Sequence, residues 1–193
     1  MQKDVFSGLK LDNGEPIYTQ EYIQSLRDAD KKHPDKLKIV AQRGGQERML
    51  SIDADIKIVG GSRGGSKSFS SLMEVLKDIK NPDFHATILR NEKDDLQSLV
   101  TDSYKLFSQF GTYNKSQNDM TWNFDNGGWL KFSYYAGAYQ DFKTRFQGRQ
   151  YAYVCIDEGT QCPYKKFKYL LTNNRNAAHI RNRFWITCNP DPE

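Results

Sequence analysis

Residues 55–68 read DIKIVGGSRGGSKS. The first six, DIKIVG, are rich in β-branched residues and end on glycine, as a short strand does. Gly61-Ser62-Arg63-Gly64-Gly65-Ser66-Lys67-Ser68 follows, and the chain continues as SKSFSSLMEVLKDIK (66–80). Leu72, Met73, Leu76 and Ile79 share one face there at helical spacing, which predicts a helix that Asn81-Pro82 ends. Strand, glycine-rich loop and helix are the context of a phosphate-binding loop, whose pattern is Gly, four residues, Gly, Lys, then Ser or Thr. Glycines let backbone N–H groups converge on phosphate oxygens, and the helix N-terminus adds partial positive charge. Lys67 is expected to bridge the β- and γ-phosphates of a nucleotide, and the Ser68 hydroxyl to ligate Mg2+. One position departs from the pattern. The glycine expected just before the lysine is Ser66, a small residue that still brings a Cβ into the loop.

Further along, HATILR (85–90) reads as a second strand. DDLQSLVTDSYKLFSQF (94–110) reads as a second helix, with Leu96, Leu99, Val100, Tyr104 and Phe107 at helical spacing and Gly111 as its stop. MTWNF (120–124) and WLKFSYY (129–135) flank Asp125-Asn126-Gly127-Gly128, a hairpin turn. YAYVCID (151–157) and RFWITC (183–188) are apolar strands, and KKFKYLLTNN (165–174) between them reads as a helix. Strands alternating with helices predict a mostly parallel sheet with helices on both faces, the hairpin being an insertion or an edge. On the hairpin, Trp122, Trp129, Tyr134 and Tyr135 read as cross-strand packing rather than as stacking platforms for bases.

Two strand ends carry further polar residues. Asp157 and Glu158 end the strand 151–157, and in open α/β sheets ligands lie at that edge. Asp157 suits the Mg2+ shell, reached through water, and Glu158 suits polarisation of an attacking water. An Asp-Glu pair also caps strands in proteins without such a site, but a phosphate loop about 90 residues upstream makes two independent signals agree. Strand 183–188 ends on Thr187-Cys188-Asn189-Pro190, where Asn189 either senses the γ-phosphate or forms an ordinary Asn-Pro turn.

Composition bounds the rest. The 193 residues give room for one domain or a little more, and 37% hydrophobic with 27% charged content excludes collagen, coiled coil and simple disorder. No apolar run approaches the ~20 residues needed to span a bilayer, and MQKDVFSGLK has no apolar signal region. Residues 1–50 are polar, with a short amphipathic helix expected over EYIQSLRDADKK (21–32). Cys155, Cys162 and Cys188 show no metal-like spacing with His33, His85 or His179 and read as reduced thiols. Residues 141–193 carry nine basic and five acidic side chains, so the net +4 of the chain sits there. Such a local excess points to nucleic acid, another polyanion or simply a solvated face.

The ordered set of motifs resembles the ATPase domain of the large terminase subunit, the genome-packaging motor of tailed bacteriophages and related viruses. The segments that carry the resemblance are GGQERMLSIDADIKIVGGSRGGSKS (44–68), ATILR (86–90), FDNGGWLKFSYY (124–135), FQGRQYAYVCIDEGTQ (146–161) and TCNPDPE (187–193). It covers roughly residues 40–193. The resemblance implies a three-layer P-loop NTPase fold of the ASCE type, a helical, lid-like segment over 1–45 and an ATPase core over 46–193. It implies adenine recognition by Gln46, phosphate binding by Gly61 through Ser68, and a phosphate contact from Arg63. Lys67 and Ser68 match the phosphate-loop pair, Asp157 the Mg2+-associated aspartate, and Glu158 the catalytic glutamate. Thr187, Cys188 and Asn189 match the segment that couples γ-phosphate state to movement.

A motor that hydrolyses ATP between subunits needs a cation from its neighbour. Arg145, Arg149 and Arg175 are the candidates, with Arg145 and Arg149 favoured, although each alone also reads as a surface charge or a DNA-phosphate contact. The expected cofactors are ATP and Mg2+. The expected partners are double-stranded viral DNA, the portal protein, the small terminase subunit and further copies in a ring, commonly a pentamer, with no membrane. The expected location is the host cytoplasm, on the procapsid portal. The chain reaches Glu193 just after the coupling segment, so the reading expects a piece of the core or a split gene product, without the family's C-terminal nuclease domain. Rivals are another P-loop translocase or helicase, and a non-hydrolysing assembly or DNA-binding module. Ser66 leans toward the module, while intact Lys67, Asp157 and Glu158 lean against it.

Overall fold

The computed structural model describes residues 39, 41–42, 44–61, 66–114, 116, 119–177 and 179–189. The helix expected over 21–32, most of the 1–45 segment, and Ser62, Arg63, Gly64 and Gly65 of the loop lie outside the described residues. Residues 41–193 form one compact unit.

That unit begins with helix α1 (Gly45–Ser51) and strand β1 (Ile56–Val59), followed by α2 (Lys67–Val75), β2 (His85–Arg90) and α3 (Leu96–Phe107). Three short strands come next: β3 (Gly111–Asn114), β4 (Thr121–Phe124) and β5 (Trp129–Tyr134). Helix α4 (Tyr139–Phe146), β6 (Tyr153–Ile156), a 3-10 turn (Gly159–Gln161), α5 (Tyr164–Asn173) and β7 (Arg183–Thr187) complete it.

The seven strands form one sheet in the order β1-β7-β6-β2-β5-β4-β3. Neighbours from β1 to β5 are parallel, and β4 and β3 are added antiparallel at the far edge. The hairpin is therefore an edge, as expected, and β3 extends it. Gly111 is not the helix stop the sequence suggests, since α3 ends at Phe107; it opens β3. A Cβ there would meet the Asn123 carbonyl oxygen at 2.2 Å, so the strand pair closes only on glycine.

Alternation along the buried strands sends side chains to two cores. On one face, Phe142 and Phe146 of α4 and Leu170 of α5 pack with Leu89, Val154 and Phe184. Burying such side chains contributes about 1.5–3 kcal/mol each. On the other face the Tyr153 hydroxyl donates to the Ser71 carbonyl of α2 at 2.9 Å, and the Trp122 Nε1–H donates to the Ser103 hydroxyl of α3 at 2.8 Å. Trp122 is a packing residue, as the hairpin reading has it. Helix α2 stops at Val75, short of the expected 80. From Leu76 to Asp78 the backbone N–H groups bond three residues back, to Met73, Glu74 and Val75, which tightens the last turn. Among the described residues no helix is long and apolar enough to cross a membrane, and all three cysteines are free thiols.

Candidate nucleotide site

Parallel register brings four strand ends into one row. Val59 pairs with Thr187, Ile156 with Ile186, and Leu89 with Ile156. One residue beyond Ile156, Asp157 therefore has Thr187 on one side and Arg90 on the other, all directed to the α2 face. Asp157 is fully buried. Its Oδ1 accepts hydrogen bonds from the Ser68 hydroxyl at 2.9 Å and the Thr187 hydroxyl at 2.5 Å. Its Oδ2 accepts from Arg90 Nε at 2.8 Å and lies 2.8 Å from Arg90 Nη2. A hydroxyl from the first turn of α2 and a carboxylate 89 residues later thus meet directly.

Glu158 differs sharply from its neighbour: its side chain is 56% exposed against 0% for Asp157. Its backbone sits in the left-handed region at φ 56. For a residue with a Cβ that costs on the order of 1–2 kcal/mol. Two contacts hold it there. The Glu158 N–H donates to Thr187 Oγ1 at 3.1 Å, and the Tyr135 hydroxyl donates to the Glu158 carbonyl at 3.1 Å. Burial pushes the Tyr135 phenol well above its ordinary range, so it remains a donor. The result is one carboxylate locked in the protein and one facing outward, beside it, on a fixed backbone.

The phosphate-loop residues are only partly described. Gly61 and Ser66 bracket the undescribed part of the loop. Lys67 Nζ donates to the Asn189 Oδ1 at 2.8 Å and to the Gly61 carbonyl at 3.0 Å, and the Thr160 hydroxyl donates to the Asn189 carbonyl at 3.4 Å. Lys67 and Asn189, 122 residues apart, therefore share one place. Ser66 has φ 57, left-handed backbone at the start of α2. That conformation explains why glycine is the usual residue there, and it is a sharper reason than the approach of a Cβ to phosphate. Gln46, buried in α1, accepts the Gln42 N–H on its Oε1 at 2.8 Å, while Gln42 Oε1 lies 3.5 Å from the Ser66 hydroxyl. The glutamine that touches the described loop is thus Gln42.

The donor set fits Mg2+. Ser68 Oγ and the Asp157 carboxylate are hard oxygens side by side, and Mg2+ is usually held by one or two such groups together with substrate phosphates. Among the described residues no group of three or more His, Cys, Asp or Glu side chains is placed to hold a metal ion by itself.

The family described as terminase large subunit, T4likevirus-type, N-terminal, matches residues 58–193. The chain belongs to this family. Among curated proteins no sequence matches it. Solved structures agree on the fold. The large terminase of a thermophilic bacteriophage superposes with TM-score 0.60 at 16% identity, over 79% of this chain and 40% of that one. The large terminase ATPase domain of Thermus phage P74-26 gives 0.57 at 11%, over 91% and 70%. The thermophilic phage enzyme in complex with ATP-gamma-S gives 0.54 at 19%, over 76% and 37%. This terminase chain spans 40% of the length of the first of these relatives. The shared fold is the three-layer P-loop ASCE architecture, in which one strand, here β7, separates the phosphate-loop strand from the acidic strand.

The arginines of the terminase chain fall into two groups. Arg183 is buried and pairs with Glu74, 2.9 Å away, and with Asp78. Arg181 pairs with Asp53 and Asp55. Both belong to the fold, and the basic excess of 141–193 is to that extent spent internally. Arg145 donates from Nη1 to the Tyr134 carbonyl at 2.6 Å and lies over the Tyr134 ring at 3.8 Å, while Arg149 is exposed. Arg90 is the site residue the sequence reading missed. An arginine at a strand end looks like a solvated charge, and its partner is 67 residues away. The rule that strand carboxyl ends build the site, applied to β2 as it was to β6, singles it out.

Proposed function

We propose that this terminase chain is an ATP-hydrolysing motor domain that drives double-stranded DNA into a procapsid. Membership of the terminase family supports the reading, and a solved relative was determined in complex with ATP-gamma-S. The observation that carries it is the Ser68–Asp157 hydrogen bond, 2.9 Å long, which joins the helix after the phosphate loop to the acidic strand end.

The roles follow from the geometry. Lys67, at the start of α2, supplies positive charge to the β- and γ-phosphates once it leaves Asn189. Asp157 accepts the hydrogen bond of the Ser68 hydroxyl, which would leave lone pairs on that oxygen for Mg2+. When bound, Mg2+ neutralises phosphate charge. Glu158, exposed and carboxylate-bearing, orients the attacking water and accepts its proton. Thr187 touches both acids, so β7 registers what happens at β6, and Asn189 carries that register to Lys67. We assign coupling to this segment. Adenine contact by Gln46 or Gln42, phosphate contact by Arg63, and a neighbour's Arg145 or Arg149 complete the proposed site. Arg149 is the more exposed of the two. The proposal includes a ring of copies, commonly a pentamer, on the portal protein in the infected host's cytoplasm, with the small terminase subunit as partner.

The test is equilibrium binding of ATP in the presence of Mg2+. The unsubstituted chain is expected to bind, and Lys67→Ala to weaken binding at least about tenfold through loss of a charge-assisted contact. Equal affinity in the two chains would overturn the reading.

A further inference from the structure

We propose that Arg90 is a positioning residue that balances the charge of Asp157 and makes retention of a divalent cation depend on nucleotide. The inference rests on the Mg2+–nucleotide reading above and deepens it. A carboxylate offers about four lone-pair positions. Three are taken by hydrogen bonds, from the Ser68 and Thr187 hydroxyls on Oδ1 and Arg90 Nε on Oδ2, and Arg90 Nη2 lies 2.8 Å from Oδ2 as an ion-pair contact. The hydroxyls are neutral. Arg90 alone brings a full positive charge.

Arg90 is itself held in place. Its Nη1 donates to the Asp95 carbonyl at 2.7 Å and to the Ser98 hydroxyl at 3.0 Å, at the start of α3. Its Nη2 is also 3.5 Å from Ser68 Oγ, the oxygen assigned to the metal. A cation at Ser68 is therefore a close neighbour of a fixed guanidinium, and like charges at that range repel strongly even where the medium is polarisable. Nucleotide phosphates supply the opposite charge that offsets this repulsion. Without them Arg90 acts as a brake on metal binding, and once they leave, the cation is loosened too. Glu158 Oε1, 3.8 Å from Nη2, is the next acceptor in reach when Arg90 yields part of its hold on Asp157.

The experiment follows Mn2+ by paramagnetic resonance, titrated into the full chain with and without ADP. The unsubstituted chain is expected to hold Mn2+ at least about tenfold more tightly with ADP than without it. Arg90→Gln should raise affinity for Mn2+ alone at least about fivefold and shrink the effect of ADP, because the repelling charge is gone. Arg90→Lys keeps the charge and should stay within about twofold of the unsubstituted chain, which separates charge from mere shape. Unchanged or weaker Mn2+ binding in folded Arg90→Gln overturns the inference while leaving nucleotide binding intact. If that variant does not fold, the unsubstituted chain still decides, since equal Mn2+ affinity with and without ADP overturns the inference. A chain that binds no ADP even with Mn2+ defeats the underlying reading and this inference with it.

Discussion

Two buried carboxylates lie on the same face of the sheet and are treated in opposite ways. Asp157, at the carboxyl ends of the strands, accepts three hydrogen bonds, from Ser68, Thr187 and Arg90 Nε, and its one charged partner, Arg90, is 12% exposed. Glu74, within α2, faces three cations. Arg183 Nε and Lys77 Nζ each lie 2.9 Å from a Glu74 oxygen, and Lys57 Nζ lies at 3.6 Å. Yet Glu74 Oε2 and Arg183 Nε, both buried, make no hydrogen bond. Glu74 is an electrostatic clamp that fixes α2 to β1 and β7. Asp157 is the charge we propose to serve a ligand. A buried charge reads as functional when its hydrogen-bond geometry is complete and its neighbourhood opens outward. It reads as structural when its charge is compensated by side chains that tie elements of the fold together, as Lys57, Lys77 and Arg183 do for Glu74.

The largest effect expected from breaking this contrast is on folding. Glu74→Gln removes the carboxylate that Lys57, Lys77 and Arg183 share and leaves buried Lys57 without its acidic partner, and it should cost about 3–5 kcal/mol in urea unfolding. Asp157→Asn should cost less, about 1–3 kcal/mol, because the amide oxygen still accepts and Arg90 keeps Asp95 and Ser98. Equal losses would erase the distinction between clamp and site.

A pH profile sharpens the clamp side. Burial lowers the Lys57 pKa from 10.5 to about 8, against the opposing pull of Glu74. Above about pH 8 the folded chain sheds this proton while the unfolded chain keeps it, so stability rises with pH. From about pH 8.5 the unfolded thiols ionise, whereas burial holds Cys155 protonated and pushes Cys162 up to about 11, so stability turns down again. A stability maximum near pH 9 is expected by thermal unfolding, with a rise on the order of 1 kcal/mol. Lys57→Met should remove the rising limb, and an unaltered profile would show that Lys57 is not strained by burial.

The smallest effect concerns the surface arginines, where the same contrast recurs. Arg145→Ala loses a carbonyl contact and a ring face and should cost about 1 kcal/mol. Arg149→Ala, at an exposed position, should stay within about 0.5 kcal/mol in the same thermal measurement. The reverse order would reassign which of the two the fold has already used.

Much of this was legible in the chain. Residues 55–80 announce strand β1 and helix α2, because a β-branched run ending on glycine is followed by apolar residues at helical spacing. The rule that strand ends face the ligand singles out Asp157, Glu158 and Asn189 as candidates, and the structure brings Asp157 to Ser68 and Asn189 to Lys67. What escaped depended on distant partners or on signals too short to read. Helix α4 shows only Phe142 and Phe146 as a buried pair one turn apart. β3 is four residues starting at Gly111, which the sequence reads as a helix stop although α3 already ends at Phe107. Arg183 lies in an apolar strand whose sequence gives no sign of Glu74, over a hundred residues earlier. Arg90 became meaningful only through the register of β2 against β6. Side-chain pairing across a sheet is a property of register, which local sequence does not encode.

The most direct test of the account is phosphate release from ATP under single-turnover conditions, with the unsubstituted chain and Glu158→Gln compared alongside their ATP affinities. The account predicts affinities within about twofold and a rate at least about a hundredfold lower in the variant, the loss expected when a general base is removed. Equal rates in the two chains would contradict it.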